Sequence, residues 1–228
     1  MCIRDSLEGH RRGYKTVHRI VRTADDFGIK ALTLYTFSAE NWRRPRTEIN
    51  GIMKLIASAA LQDLRKLMDE GVQMRLSGRT EDLPGYVRDA LLEDVERTKY
   101  NSGLKLTLAV NYGGRAELID AMRKLGARIQ AGELRPDEID EQTVSRALYQ
   151  PDIPDPDLLI RTAGEMRISN FLLWEIAYSE LHVTPVLWPD FGDEDLLLAI
   201  EDYQSRVRKF GAVAPSSTEG SITAQVAK

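Results

Sequence analysis

Short apolar runs alternate along the chain with longer segments in which apolar residues recur every three or four positions. Each run is rich in leucine, valine or aromatic residues and is bounded by polar positions, which is typical of a buried strand. The runs that we predict to be strands are ALTLYTF (31–37), VQMRLSG (72–78), LKLTLAV (104–110), DLLIRTA (157–163) and ELHVTPV (180–186).

The segments between the strands have helical periodicity. In the segment that follows the first strand, apolar residues from Ile52 to Ala60 fall on one stripe. Gly28, Gly71 and Gly211 lie where helices commonly end, because glycine adopts the left-handed conformation of a C-cap without strain. Helices are therefore predicted over 13–28, 47–71, 83–101, 114–132, 135–150, 169–178 and 192–211.

Strands that alternate with helices indicate a mostly parallel sheet of about five strands with helices on both faces. A chain of 228 residues, of which 43% are hydrophobic, can bury one sizeable core, so we expect a single α/β domain over 7–211. Residues 1–6 do not share the pattern and are interpreted as a leader. Residues 212–228 are small and polar without periodicity, which predicts a disordered tail.

Charge and composition argue against several classes of protein. The net charge of −4 and a sequence pI near 5.5 argue against a general nucleic-acid binder. Cys2 is the sole cysteine, so no disulfide can form within the chain. No apolar run reaches the roughly 18 residues that a membrane span needs, and the start has no signal-peptide core. We expect a soluble cytoplasmic protein.

Polar side chains cluster after the fourth predicted strand, in RTAGEMRISN. Loops at the carboxyl ends of parallel strands, together with the helix N-termini they feed, form the usual ligand site of such folds. Arg161 and Arg167 supply two guanidinium groups, and Ser169 with Asn170 is typical of a helix N-cap. The combination favours a phosphate or diphosphate site.

Two interpretations of these arginines remain open. Arg161 and Arg167 could be surface residues in ion pairs with Glu165 or Asp157, or they could bind an external anion. An arginine at the end of an apolar strand is seldom left without an anionic partner, which favours the anion site.

The loop after the first strand, FSAENWRRPRTE, offers polar groups beside an aromatic wall. Asn41 could hydrogen-bond a ligand, although a neutral amide is a poor general base. The alternative is a solvated charged loop with a helix N-cap at Thr47. Earlier in the chain, GHRRG places His10 between two glycines, where a histidine binds an anion or has a structural role.

Other motifs are weaker. PDIPDPD (151–157) has Asp-x-Asp spacing, but its prolines favour an extended turn over a metal site. NYGGR (111–115) lacks the spacing of a nucleotide-binding loop. The sequence also has no grouping of histidine and cysteine that would bind a metal.

Five motifs, in this order, resemble the cis-prenyltransferase family, and within it the bacterial undecaprenyl diphosphate synthases. They are GHRRG, FSAENWRRP, NYGGR, DLLIRTAGEMRISNFLLWEIAYSEL and VLWPDF, and the resemblance runs from about Leu7 to Gly211. It implies a homodimeric, Mg²⁺-dependent transferase that condenses isopentenyl diphosphate onto farnesyl diphosphate with new cis double bonds. The implied product is the carrier lipid of cell-wall glycans, so contact with the membrane would come only through that product.

The resemblance also implies roles for individual residues. The positions that match the family's isopentenyl diphosphate site are Arg161, Arg167, Ile168 and Ser169. Those that match other substrate contacts are His10, Phe37, Ser38, Ala39, Glu40, Trp42 and Arg44. Asn41 matches the family's proton acceptor, and Glu180 matches its metal-associated glutamate.

One family motif is absent from the 228 residues. The family's first strand ends in His-x-x-Met-Asp-Gly-Asn-Gly-Arg-Trp-Ala, whose aspartate holds Mg²⁺ against the allylic diphosphate. Here Ser6 stands where a further family arginine belongs, and Asp5 lacks the glycines that would present it. We expect a gap in the sheet where that strand would lie, and little turnover.

Two hypotheses follow. Either an active synthase has lost its true N-terminus, with residues 1–6 a foreign junction, or the chain is a non-catalytic, diphosphate-binding or partner subunit of a prenyltransferase complex. The sequence does not set the length of the product chain.

Overall fold

The computed structural model describes residues 7–206 of the chain. The predicted leader (1–6), the predicted tail (212–228) and the predicted cap at Gly211 lie outside the described residues.

All five predicted strands are present, each within three residues of its expected limits. Their apolar runs explain why, because a run of buried side chains with β-branched and aromatic members fits a pleated surface packed on both sides. The strands are β1 (Ala31–Ser38), β2 (Gln73–Ser77), β3 (Lys105–Tyr112), β4 (Leu158–Arg161) and β5 (Glu180–Val183).

Six α-helices lie between and around the strands in the described part of the chain. The first begins at Leu7, earlier than the periodicity predicted, and the helix predicted over 169–178 does not form. None of the helices within residues 7–206 combines the length and the apolar character needed to cross a membrane. The helices are α1 (Leu7–Asp26), α2 (Arg46–Asp69), α3 (Gly85–Thr98), α4 (Gly114–Gln130), α5 (Glu141–Ala147) and α6 (Asp193–Ser205).

The strands form two parallel sheets rather than one. The first has the order β1-β3-β2, with Leu34 of β1 opposite Leu108 of β3. The second pairs β4 with β5, so that Arg161 lies opposite Val183. The parallel direction that the alternating pattern predicted is confirmed in both sheets.

A cavity of about 1550 Å³ separates the two sheets. It is lined by β1 from Ala31 to Thr36 and by β4 from Leu158 to Arg161, whereas no residue of β5 reaches it. Because β1 is the edge of its sheet, no described strand pairs with the side of β1 that faces β4. This is the gap that the sequence analysis expected.

The hydrophobic core is formed on both faces of the central strand β3. Leu106 and Val110 of β3 join a large cluster with apolar residues of α1, α2 and α3, while Ala109 and Tyr112 pack with Phe171 on another side. Both faces of the central strand are therefore covered. Gly28 and Gly71 adopt left-handed conformations at the ends of α1 and α2, which confirms them as helix caps.

Gly78, directly after β2, has a backbone that only glycine adopts easily, with φ of +124°. A Cβ atom there would lie 2.2 Å from the carbonyl oxygen of Val110. We expect Gly78→Ala to lower the free energy of unfolding by about 3 kcal/mol or more, since backbone must shift. Gly126→Ala is the control, because its Cβ meets nothing within 4 Å on α4, and it should stabilise by up to about 1 kcal/mol. Urea unfolding of both variants measures the difference, and equal effects would contradict it.

Candidate functional site

The two arginines of the β4 loop share one carboxylate. Arg161 and Arg167 both pair with Glu165, the latter at 2.6 Å from Nη2 to Oε1. The Arg161 side chain is 17% exposed and that of Arg167 is 64% exposed. The ion-pair interpretation is therefore correct for Glu165, and the same pairs bring the two cations together.

Arg161 retains capacity for a further acceptor. Its Nε atom is buried and has no hydrogen-bond partner among the described residues. Its Nη2 atom lies 3.5 Å from Oγ of Ser169, at the limit of a hydrogen bond. A buried donor without an acceptor is costly, so the geometry around Arg161 suits an anion that enters beside Glu165.

The backbone of this loop is unusual. Ala163, Ser169, Asn170 and Leu172 all have positive φ, of 67°, 50°, 62° and 46°. Non-glycine residues seldom adopt this conformation, which costs free energy and is concentrated at functional sites. The strain marks the β4 loop as a candidate site independently of its charges.

The helix predicted over 169–178, with Ser169 and Asn170 as its N-cap, is wrong. Leu172 is in the left-handed region, where a right-handed helix cannot continue. Phe171 and Leu172 are instead buried against Tyr112, so burial outweighs the helical propensity of the segment. The segment that begins at Ser169 therefore supplies no helix N-terminus to the arginines.

Asn170 joins the loops that follow three strands. Its Nδ2 atom donates to Oε1 of Glu40 at 2.8 Å, and its Oδ1 atom accepts from the backbone N–H of Arg115 at 2.9 Å. A Cβ atom on Gly113 would lie 2.8 Å from Nδ2 of Asn170. The glycines of NYGGR thus allow the β4 loop to approach closely, a role that sequence spacing alone did not reveal.

The β1 loop is fixed by its own side chains. The backbone N–H of Ser38 donates to Oδ1 of Asn41 at 3.0 Å. Nε1 of Trp42 donates to Oδ1 of Asn111 at 2.7 Å, and the Trp42 ring meets that of Phe37 edge-on at 5.1 Å. The predicted aromatic wall is present, with Phe37 fully buried.

Two further predictions concern this region, a helix cap at Thr47 and a substrate contact at Ala39. The cap at Thr47 is wrong, because α2 begins at Arg46 after Pro45, whose fixed φ suits a helix start. Ala39 begins the 3₁₀ turn Ala39–Arg43, close to Gly113.

His10 and Arg44 meet at Glu48, a residue that the sequence analysis did not single out. Nε2 of His10 lies 3.5 Å from Oε1 of Glu48, and Nη1 of Arg44 donates to the same oxygen. Burial opposes ionisation of Glu48, but the hydrogen bonds from Arg44 and His10 outweigh it and lower the pKa of the carboxyl group. GHRRG and the β1 loop therefore contribute to one charged cluster.

Glu180 is not near the arginines. It starts β5 opposite Leu158, whereas Arg161 ends β4, and its Oε2 accepts from Nη1 of Arg206 at 2.8 Å. No group of three acidic, histidine or cysteine side chains in residues 7–206 is arranged to hold a metal. The described residues do not fit the magnesium site that the resemblance implies.

The cavity between the sheets extends to the loop after β4. Arg161, Thr162 and Ile168 are among its lining residues, and the rest of its surface is mostly apolar, although it also includes charged side chains such as Lys66 and Glu175. Asp94 of α3 also lines it and is 2% exposed. Burial, reinforced by the charges of Asp63 and Glu93, raises the pKa of Asp94 to about 7.

This raised pKa predicts how stability depends on pH. The folded protein keeps its proton on Asp94 up to about pH 7, whereas the unfolded chain releases it near pH 4. The free energy of unfolding should therefore fall as pH rises from 4 to 7, by on the order of 4 kcal/mol from this group, and level off above pH 7. Asp94→Asn should remove this contribution and leave the smaller slope due to Glu175, whose pKa burial also raises, measured by urea unfolding at several pH values. Asp89→Asn, an exposed carboxyl on the same helix, is the control, and an unchanged slope in Asp94→Asn would contradict the assignment.

Comparison with known sequences adds to this geometry. A family model described as "Putative undecaprenyl diphosphate synthase" matches residues 3–211. An isoprenyl transferase of Heliobacterium mobile is 46% identical over 207 residues, which cover 91% of this chain and 80% of that protein. A farnesyl-diphosphate-specific ditrans,polycis-undecaprenyl-diphosphate synthase of Micrococcus luteus is 45% identical over 207 residues, or 91% and 83% of the two chains.

Solved structures of two diphosphate synthases superpose on this chain. Lavandulyl diphosphate synthase from Lavandula x intermedia, in complex with dimethylallyl diphosphate, superposes with a TM-score of 0.88 and 38% identity, over 90% of this chain and 89% of that one. A probable undecaprenyl diphosphate synthase from Campylobacter jejuni has a TM-score of 0.78 and 31% identity, over 88% and 92%.

Proposed function

The chain belongs to the undecaprenyl diphosphate synthase family of cis-prenyltransferases, and on that premise we propose that it condenses isopentenyl diphosphate repeatedly onto farnesyl diphosphate with new cis double bonds. The membership makes it an isoprenyl transferase. The finer parts of the proposal are the two substrates and a long-chain, undecaprenyl-type diphosphate as product, used as carrier lipid for cell-wall glycans.

One observation supports the proposal most directly. Arg161, whose partner Glu165 also pairs with Arg167, lines a cavity of about 1550 Å³ whose surface is mostly apolar. A ligand that matches both parts has an anionic head and an apolar tail. A prenyl diphosphate has this form, because guanidinium groups bind phosphate oxygens and the tail gains by leaving water.

The proposed reaction forms one carbon–carbon bond and breaks one carbon–oxygen bond. The double bond of isopentenyl diphosphate attacks C1 of the allylic diphosphate, whose diphosphate leaves with the bonding electrons, and a proton is then lost from C2 of the isopentenyl unit. We assign Arg161, Arg167 and Ser169 to the isopentenyl diphosphate, and His10 and Arg44 to the allylic side. The cations favour the reaction by stabilising negative charge on the phosphates.

Asn41 is proposed to position the reacting groups rather than to remove the proton unaided. Its carboxamide oxygen already accepts from the Ser38 N–H, and a neutral amide is a weak base. An oxygen of the departing diphosphate is the stronger acceptor nearby. Asn41 would then orient that proton transfer through its amide NH₂ group.

Magnesium use and a homodimeric state are proposed from the resemblance alone, and a cytoplasmic location is proposed from the composition of the chain. No step is assigned to the ion, since the described residues do not fit its site. We propose no nucleic-acid partner, and contact with the membrane only through the lipid product. A polypeptide of these 228 residues, which contain no Asp-Gly-Asn-Gly-Arg-Trp, is proposed to turn over slowly.

Calorimetric titration of this polypeptide with isopentenyl diphosphate tests the binding site without requiring turnover. We expect saturable binding of one molecule per chain, and no binding of isopentenol, which lacks the diphosphate. Farnesyl diphosphate should bind and farnesol should bind far more weakly. If neither diphosphate bound to the folded protein, the proposed function would be wrong.

A further inference from the structure

Asn111, the second-last residue of β3, has a left-handed backbone inside a strand. Its φ is +50°, and it falls where the register of β3 against β1 shifts, between the partners of Phe37 and Ser38. Non-glycine residues seldom adopt this conformation, although asparagine does so more readily than most, and an irregularity of this kind turns a side chain to a new direction. The irregularity in β3 therefore sets the direction of the Asn111 side chain.

That side chain joins the loop after β1 to the loop after β2. Oδ1 of Asn111 accepts from Nε1 of Trp42 at 2.7 Å, and its Nδ2 atom donates to the carbonyl oxygen of Arg79 at 2.8 Å. Asn111 is 5% exposed, so little water competes for these two bonds. Because a carbonyl oxygen and an indole N–H need opposite partners, only this orientation of the amide satisfies both.

The β2 side of this contact is fixed. The backbone N–H of Arg79 donates to the carbonyl oxygen of Asn111 at 3.2 Å. The Arg79 guanidinium group pairs with Asp120 of α4 through hydrogen bonds of 2.8 and 2.9 Å, and the Tyr149 hydroxyl donates to the same carboxylate at 2.6 Å. Since a paired set of hydrogen bonds restricts both partners, Asn111 holds Trp42 against a loop that is itself attached to a helix.

Trp42 has surface left for a ligand. Its ring meets Phe37 edge-on and its N–H is bound to Asn111, yet the residue is 37% exposed. It lies two residues before Arg44, which we assign to the allylic side. The fixed indole ring therefore presents a rigid apolar surface close to that side.

We propose that Asn111 is a positioning residue, which holds the Trp42 ring in the orientation that contacts the allylic substrate. The proposal rests on the proposed function, because it assumes that an allylic diphosphate binds beside Arg44. Asn111 is buried and acts through Trp42 rather than on the substrate. Without the amide, the indole N–H loses its acceptor, and the ring has to be ordered when the substrate binds, which lowers the affinity.

Asn111→Gly tests this role, because glycine adopts the left-handed backbone without strain and only the side chain is lost. The chain has three tryptophans, so a nitrogen-15 NMR spectrum contains few indole N–H signals, and Trp42→Phe identifies the signal of Trp42. We expect this N–H to exchange with solvent about tenfold faster in Asn111→Gly than in the wild type. Asn111→Asp, which keeps an acceptor for the indole, should retain most of the protection.

Calorimetric titration measures the consequence for binding. We expect Asn111→Gly to lower the affinity for farnesyl diphosphate by about five- to tenfold, as for one lost buried hydrogen bond. The affinity for isopentenyl diphosphate should not change, because its proposed ligands Arg161 and Arg167 are outside this network. Trp42→Phe should lower the affinity for farnesyl diphosphate at least as much, and adding Asn111→Gly to it should have little further effect, since no indole N–H remains.

Asn101→Gly is the matched control. Nδ2 of Asn101 also donates to backbone carbonyl oxygens, those of Leu67 and Val72, but at the opposite ends of the strands, so its loss should lower stability without changing either affinity. Equal losses for the two diphosphates in Asn111→Gly, an unchanged affinity for farnesyl diphosphate, or an effect that adds fully to that of Trp42→Phe would overturn the positioning role. A wild-type protein that binds no farnesyl diphosphate would instead overturn the proposed function, and this inference with it.

Discussion

Replacing residues 1–6 with a segment that contains a β-strand followed by Met-Asp-Gly-Asn-Gly-Arg-Trp-Ala should raise the rate of condensation by several orders of magnitude. The comparison is with the 228-residue polypeptide, assayed with farnesyl and isopentenyl diphosphates. The motif adds an aspartate where the described residues offer no metal cluster. Stabilisation of a departing diphosphate by a bound metal ion is worth several kcal/mol, and each 1.4 kcal/mol corresponds to about tenfold in rate.

The added strand should also have a structural effect. The facing sides of β1 and β4 have no described strand between them, and a cavity of about 1550 Å³ separates them. A parallel strand placed there would pair with both and join the two sheets into one, and it would leave to the prenyl tail the part of the cavity that α1 and α2 line. Hydrogen exchange should accordingly slow at the backbone amides of β1 and β4 in the extended protein.

Two controls separate the contributions. In the first, alanine replaces the aspartate of the added motif, which keeps the strand but should leave turnover near that of the 228-residue polypeptide. In the second, a chelator is added to the extended protein and should abolish turnover reversibly. An extended protein that is protected at β1 and β4, binds both substrates and still does not condense them would favour the non-catalytic subunit.

The strands could be predicted from sequence because their signal is local. The run Leu32 to Phe37 is apolar and β-prone over its whole length, and the structure places β1 there. Gly28 and Gly71 likewise predict helix ends, because glycine readily adopts the left-handed conformation found there. In each case the residues that determine the structure are adjacent in the chain.

The segment 169–178 shows why the rest could not be predicted. Its composition favours a helix, yet Phe171 packs against Tyr35 and Tyr112, which are more than fifty residues away in the chain. Asn170 is used by Glu40 and by the backbone of Arg115. Such contacts depend on the folded arrangement of three loops, and no local pattern contains them.

The candidate site was predictable by residue type more than by arrangement. Arg161, Arg167 and Ser169 are found together as expected, but their common partner Glu165 was one of two alternatives. Glu48 and the buried Asp94 were not identified, since a single acidic residue in a helix carries no signal of burial. Tyr14 and Asp63, which meet across two helices, illustrate the same limit.

Arg161→Ala should lower the affinity for isopentenyl diphosphate by about 30-fold to 100-fold, the largest effect that we expect from a single substitution at the site. A hydrogen bond between charged groups contributes roughly 1.5–3 kcal/mol, and the contribution is greatest where water is excluded. The Arg161 side chain is largely buried and has an Nε donor without a partner. Titration calorimetry of the wild-type and variant proteins measures the change.

Three further variants distinguish binding from a change in fold. Arg167→Ala should cost about tenfold or less, because its side chain is 64% exposed and water weakens its contribution. Arg97→Ala, in an exposed ion pair on α3, should have no effect on affinity. Arg161→Lys should recover only part of the loss, since an ammonium group lacks the paired donors of a guanidinium. Equal losses in Arg161→Ala and Arg167→Ala, with both proteins folded by circular dichroism, would contradict the view that burial makes Arg161 the principal anchor. The bound diphosphate would then interact equally with Arg161 and Arg167, and water would reach both side chains to the same extent.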